Sequence, residues 1–511
     1  MSILERSTAG TPAPAGTAGT AADSDATVGG RRPRRFSTRH LSMMALGSAI
    51  GAGFFLGTGI AVSNAGPAVL ISYVLAAFIA VSVMFALAEL ASALPSTGSF
   101  STYAEVGIGR WAGFTVGWLY WVMLIMVLGL EVTGAAAYFV GWFPQVPQWV
   151  VALVIVVVLG GVNLLAAGDF GEIEAWMAGL KVAAILVFLV IGVALVTGLL
   201  PGRSAPVGEV VLGHGGWIPN GLPGVAVSLL AIITSFGGIE IVTIAAAEAE
   251  DARAAMSRAI RSVIGRILVL YVGSVLLLVA LLPWDSEEMR TSPFAAILDM
   301  AGVPHVGTIM EVVVFVSLIS AFSANVYSSS RMAYSLSARG MGVRWLLGAG
   351  GRPATPQTGG HLGPVDEAGA AMLDVVRDEA GTGDIAHGRT PKRAVMVSVF
   401  LALVSAALNW YLPDVMLAWF LNAVGMVLLV AWVFIVVSHI RLSSRLEAAG
   451  IERLRMPGAP WTSWLVLVAL AGLAVLMAMN PEGRAQLLAM GVLTALVVGI
   501  HHLRQWWLAR H

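Results

Sequence analysis

GSAIGAGFFLGTG, residues 47–59, places five glycines in thirteen positions of a run that is otherwise apolar enough to cross a membrane. Each glycine weakens a helix by about 1 kcal/mol relative to alanine. If Gly51, Ala52 and Gly53 leave helical geometry, the half-helix that follows exposes backbone N–H groups at its start. Those donors, together with the helix dipole, suit a carboxylate. A bilayer tolerates such a break only where protein or a polar cavity satisfies the freed groups. The competing reading is that membrane glycines simply let helices pack closely.

The rest of the chain fits a membrane setting. Of its 511 residues, 58% are apolar and 11% charged, and the mean hydropathy is +0.85. Soluble domains carry about 25% charge. The 29 basic and 29 acidic residues cancel, which makes nucleic acid an unsuitable partner. The absence of cysteine removes disulfides, thiol chemistry and cysteine metal sites. Residues 1–35 begin rich in Ala, Thr, Gly, Ser and Pro and read as a disordered cytoplasmic tail rather than a signal peptide.

A spanning helix needs about 20 apolar residues, and twelve such stretches are predicted, centred near Gly53, Ala77, Ile125, Val157, Val187, Ile233, Leu276, Ser317, Leu401, Leu429, Ala471 and Leu496. With the amino terminus inside, the inner loops and tails collect nearly all Lys and Arg, whereas the outer loops hold Arg203, Arg290 and Arg484. This bias places both termini in the cytoplasm. Residues 340–391 form a polar cytoplasmic insertion, read as passive, in which VDEAGAAMLDVVRDEA has the spacing of a short amphipathic helix.

A second interruption, SFGGIE at residues 235–240, puts Gly237 and Gly238 in the middle of the sixth stretch. Glycine-interrupted segments in corresponding positions of two halves point to a transporter binding site. Opposite half-helix ends there would hold a carboxylate and an ammonium together. Gly113 and Gly117, spaced as GxxxG, read instead as packing residues.

Charges inside spans are the other signal, because one at the bilayer centre costs at least about 2.5–3.5 kcal/mol. Glu131 in the third stretch is a candidate for an ammonium contact or proton uptake, against a structural hydrogen bond. Glu240 directly follows the second break, as a substrate contact or a local stabiliser. Lys181, the basic residue well inside a span, either fills a cation position, or changes protonation during a cycle, or forms a permanent ion pair. Glu89, Glu248 and Glu311 lie nearer span ends, where charges reach water or pair at a gate. Phe236 is placed to cover a small substrate as an aromatic lid. Trp118, Tyr120 and Trp121 read as packing or interface rings, and Ser323 and Asn325 as polar groups of the eighth stretch that could face a cavity.

Long motifs in one order, RHLSMMALGSAIGAGFFLGTG, AGPAVLISYVLA, ALAELASALPSTGSFSTYAEVGIGRWAGFTVGWLYW, GEIEAWMAGLKVAAI, GGIEIVTIAAAEAED and SSSRMAYSLSARG, resemble bacterial permeases of the amino acid-polyamine-organocation superfamily, closest to the gamma-aminobutyrate branch. The resemblance covers about residues 36–508. It implies an all-α integral membrane protein with a leucine-transporter-like fold: a first five-helix repeat over 36–200, an inverted second one over 201–440 carrying the insertion, and two additional helices over 441–511.

It also implies that backbone from Ala49, Ile50, Gly51, Ala52 and Gly53 receives the carboxylate, and that Phe236, Gly237, Gly238 and Glu240 form the gate and amine side. Lys181 matches a lysine near a sodium position of relatives. Ala252, within EAEDARAAM, stands where relatives often have proline. The expected activity is proton-coupled uptake of a small zwitterionic amino acid, gamma-aminobutyrate by branch, across a bacterial cytoplasmic membrane, with protons as coupling ion, lipid as surroundings and no other cofactor. Proline, alanine, glycine and beta-alanine stay open as substrates. Exchange and ligand sensing without net transport are the alternatives, and no nucleophilic or metal constellation favours an enzyme.

Overall fold

A chain this poor in charge satisfies its backbone within helices, the solution a bilayer demands of any single segment. The computed structural model describes residues 50–94, 99–165, 170–202, 205–238, 240, 260, 264–265, 267–348, 391–411 and 413–510, and among these no strand occurs. The tail 1–35, Ala49, Glu248, Ala252 and the insertion from 349 to 390, including its amphipathic stretch, lie outside the described residues.

Every one of the twelve predicted centres falls within a helix. Helix α1 (Ala52–Ala65) turns at Gly66, whose φ of +63° favours glycine, through a short 3-10 turn into α2 (Val69–Ala93). A short α3 (Ser99–Gly107) leads to the long α4 (Arg110–Trp142), then α5 (Gln148–Leu165) and α6 (Phe170–Val196). After a one-turn α7 (Val207–Leu212) comes α8 (Gly221–Phe236), and α9 (Gly273–Leu281) is entered through a π-helical turn. Two short helices, α10 (Glu287–Thr291) and α11 (Pro293–Met300), connect α9 to α12 (Val306–Ala338). The chain ends with α13 (Lys392–Leu408), α14 (Pro413–Ala448), α15 (Trp461–Met479) and α16 (Pro481–Arg510).

Seven of these stretches, with α1 and α2 taken as one run, are long and apolar enough to cross a membrane, and α5, α8 and the region of α9 are apolar but shorter. Burial sorts the centre from the rim. The most apolar windows of α1–α2, α4 and α14 are each 61% buried, that of α16 only 17%. Val468, Val475, Leu488, Val492, Leu496 and Ile500 of α15 and α16 remain exposed. Such a face belongs against lipid, where an apolar surface needs no protein partner.

Helix α8 lies along α1, and two glycines set how close it comes. A Cβ on Gly53 would stand 2.8 Å from the Thr234 carbonyl oxygen, and one on Gly57 3.3 Å from Ser235 Oγ and 3.4 Å from the Ala231 carbonyl oxygen. Ser235 donates its hydroxyl to the Gly53 carbonyl, and Thr234 Oγ1 donates to Leu421 O of α14 at 2.8 Å. The GxxxG pair of α4 does what its spacing predicts. Gly113 and Gly117 receive α3, with Ser101 Oγ donating to Gly113 O at 2.8 Å.

At one end of the bundle α10 presses on α1, so that a Cβ on Gly59 would overlap the Met289 carbonyl. Phe294 of α11 joins Phe54, Phe55 and Phe188 in a ring cluster there, with centroids 4.9–5.3 Å apart. At the other end, the start of the expected insertion is anchored. Trp118 Nε1 donates to Met341 O at 3.0 Å, Arg393 donates to Trp345 O at 2.9 Å, and Leu346 and Leu347 are buried. Arg339 pairs with Glu105 at 3.0 Å and donates to Ser101, fixing the end of α12 on α3.

Candidate functional site

Helix α1 begins inside the glycine run. Gly51 is its extended N-cap residue and Ala52 its first helical one. The Ala52 N–H, which no residue of its own helix can accept, donates to both carboxylate oxygens of Glu131 at 3.1 Å. A carboxylate therefore sits on the broken backbone, and it comes from α4. Gly51 makes room for it, because a Cβ there would fall 2.3 Å from Glu131 Oε1.

Opposite, α8 stops at Phe236. Gly237 turns out of the helix, and Gly238 takes a φ of +95°. Glu240 holds this corner: its Oε2 accepts from Gly238 N at 3.0 Å and its Oε1 from Trp432 Nε1 of α14 at 2.7 Å. The start of α1 and the end of α8 line one cavity, with Tyr120, Met123, Leu124, Val127, Glu131, Thr234, Asn325 and Val424 among its walls. About 30 Å³ of it is open to the centre of a water molecule, room for a few waters and too little for an amino acid without side-chain movement. One helix start and one helix end thus meet across it, a positive dipole end facing a negative one.

The site residues expected from sequence separate into three groups. Gly51, Gly53, Gly237, Gly238 and Glu131 line the cavity. Ile50 is buried beside it, Ala52 supplies the amide, and Glu240 braces the corner. Phe236 is fully buried, stacked on Tyr271 at 5.2 Å and edge-on to Tyr73 at 6.2 Å. These rings continue toward Phe54, which touches Tyr271 at 4.6 Å, so Phe236 belongs to an aromatic block between the cavity and the α10–α11 end.

Lys181 of α6 is buried to 1% exposure, and its Nζ lies 4.0 Å from Glu174 Oε1 on the same helix. Glu174 Oε2 accepts from Ser320 of α12 at 2.7 Å, and Oε1 has no hydrogen-bond partner among the described residues. Lys181 also attracts the Glu131 carboxylate through space. Lys181 thus pairs with one buried carboxylate and is attracted by a second.

Two contributors escaped the sequence reading. Tyr120, read as a packing or interface ring, lines the cavity with its hydroxyl toward Glu240. Glu174 carried a readable signal, its position seven residues before Lys181 and therefore on the same helix face. Asn325 lines the cavity and Ser323 does not. Glu311 is remote from it, accepting from Trp142 Nε1 at 2.8 Å. Glu89 sits in a separate network with His439, Arg453 and the Met456 amide.

A multi-pass helical bundle with two helix ends meeting at a central cavity and buried charges beside it defines a membrane transport protein. The chain belongs to the amino acid permease family, whose model matches residues 40–352 and 383–509. It is 43% identical to the aromatic amino acid transport protein AroP of Corynebacterium glutamicum over 466 residues, 90% of this chain and 93% of the relative. It is 36% identical to the gamma-aminobutyric acid permease of Escherichia coli K12 over 458 residues (89% and 91%) and 33% identical to that of Bacillus subtilis 168 over 468 residues (91% and 92%).

Proposed function

We propose that the protein carries a zwitterionic amino acid into the cell together with a proton, by alternating access across the bacterial cytoplasmic membrane, with both termini inside. The reading rests above all on the Glu131 carboxylate bound to the Ala52 amide, since a backbone that accepts one carboxylate can accept a substrate's. The substrate carboxylate takes that place, and its ammonium meets the carbonyl end of α8 around Thr234 and Gly237. Glu240 acts through the corner it braces. The aromatic block around Phe236 closes the outer route. Lys181 and Glu131 couple the proton. The two broken helices are corresponding members of two inverted five-helix units.

Two substrate readings have support. Gamma-aminobutyrate, expected from sequence, keeps that of the relatives named for it. An α-amino acid with an apolar or aromatic side chain is favoured by Met123, Leu124, Val127 and Val424 in the cavity wall and by the relative named for aromatic amino acids. The deciding experiment is uptake of labelled gamma-aminobutyrate and labelled phenylalanine by purified protein in sodium-free proteoliposomes, with an inward proton gradient present or collapsed by an uncoupler. Concentrative uptake that vanishes with the uncoupler is expected, and cross-competition ranks the substrates. Rapid flux that requires amino acid inside the vesicle would replace symport by exchange. Saturable binding without flux would make the protein a sensor.

A further inference from the structure

We propose that Glu174 is the release carboxylate of a buried proton relay, taking the coupling proton from Lys181 and passing it toward the cytoplasm. The inference rests on the proton-symport reading above and adds the residue by which the proton leaves.

Three buried ionisable side chains from two helices act on one another: Lys181 and Glu174 of α6, 4.0 Å apart, and Glu131 of α4, which Lys181 attracts through space; they are exposed to 1%, 2% and 3%. With all of them ionised the group carries one negative charge in excess, so a single added proton makes it neutral. An uncompensated buried charge is costly, which favours holding one mobile proton within the group. Glu131 and Glu174 are not equivalent places for it. Glu131 is bound to the helix start that the substrate needs, whereas Glu174 lines no part of the cavity.

The geometry gives the order. Glu174 precedes Lys181 by two turns, about 10 Å along the helix axis at 1.5 Å per residue. The side chains still meet, because helical side chains lean toward the amino terminus and the lysine reaches back along the face. That direction leads to the beginning of α6, which the distribution of basic residues assigns to the cytoplasmic side. Ser320 fixes one oxygen of Glu174 at 2.7 Å and leaves the other, which has no hydrogen-bond partner among the described residues, 4.0 Å from Lys181 Nζ. Among the described residues Lys181 acts electrostatically on Glu174, and Glu174 and Glu131 act on Lys181.

The cycle balances with one proton and no electrons. Substrate displaces Glu131 from the Ala52 amide, and Glu131 is then a carboxylic acid that has taken its proton from the outside. An N–H bond of the Lys181 ammonium breaks as an O–H bond forms on Glu174 Oε1. The neutral amine then accepts the Glu131 proton, an O–H bond breaking as the ammonium N–H is restored. Glu174 gives its proton to cytoplasmic water. Glu131, ionised again, returns to the Ala52 amide once the substrate has left.

The test compares wild type, Glu174→Gln and Glu174→Asp in sodium-free proteoliposomes, with labelled gamma-aminobutyrate and labelled phenylalanine as probes. Gln keeps an acceptor for Ser320 and cannot titrate. One-to-one coupling to an inward gradient of one pH unit sustains about tenfold accumulation. Glu174→Gln is expected to lose that accumulation while counterflow, with amino acid on both sides, stays within about twofold of wild type; Glu174→Asp restores part of it. Undiminished accumulation by Glu174→Gln would overturn the relay, as would parallel loss of accumulation, counterflow and substrate-induced thermal stabilisation, which marks a structural carboxylate. A wild type insensitive to uncoupler removes the symport reading, and the relay with it, before any variant is compared.

Discussion

Gly51 is the residue on which the site turns. Its backbone is extended, a conformation open to any residue, so what glycine supplies here is space: the nearest atoms to a Cβ would be the carboxylate end of the flexible Glu131 side chain and Ala321 Cβ at 3.0 Å. Gly51→Ala is therefore expected to leave the fold intact and evict the carboxylate from the Ala52 amide. A charge-assisted hydrogen bond contributes about 1.5–3 kcal/mol, so a substrate carboxylate excluded by the same methyl group binds roughly ten- to a hundredfold more weakly. Binding by isothermal calorimetry and thermal unfolding in the same detergent check this together. Wild-type affinity in Gly51→Ala would move the carboxylate site elsewhere.

At the scale of elements, Gly53 has a different task from its neighbour. The atoms that a Cβ would strike, Thr234 O and Ser235 Cα at 2.8 and 3.1 Å, are backbone and cannot swing away. Helices α1 and α8 must separate instead. Overpacking of this kind costs about 1–3 kcal/mol, and Gly53→Ala is expected to lower the melting temperature and transport together, whereas Gly51→Ala lowers binding alone. A melting temperature equal to wild type would contradict the contact. The distinction between these glycines was not legible in the sequence, where both belong to one run. The element positions were, since length and hydropathy suffice to locate each predicted centre in a helix. What stayed hidden is rotation about the helix axis. In a soluble helix polar residues mark the outer face, but lipid and protein core are equally apolar, so nothing in the pattern of α4 turns Tyr120 toward the cavity. Charges break the silence, as Lys181 and Glu131 do, because they cannot face lipid.

For the whole molecule, the Glu89 network joins parts that lie far apart in sequence. Glu89 near the end of α2 accepts from Arg453 Nε at 2.7 Å, His439 Nε2 at 3.0 Å and Met456 N at 2.8 Å, and His439 Nδ1 bonds Ser463 of α15 at 3.0 Å. One carboxylate thus ties α2, α14, α15 and the segment between the last two. Removing it leaves Arg453 and His439 buried, and breaking a buried pair costs about 3–5 kcal/mol. Glu89→Ala is expected to show a markedly lower unfolding temperature in detergent than wild type; an unchanged one would mean that water replaces the lost partner. The carboxylate seated on α1 has a consequence for what the transporter as a whole will accept. On the proposed reading Glu131 is a tethered competitor for that place, present at an effective concentration set by its own side chain. A solute is then expected to need an anionic group of its own to take the seat. Amines and amino alcohols, however well their remaining atoms fit, are expected to leave the tether in place, which would put the filter against them in the resting contacts of the protein.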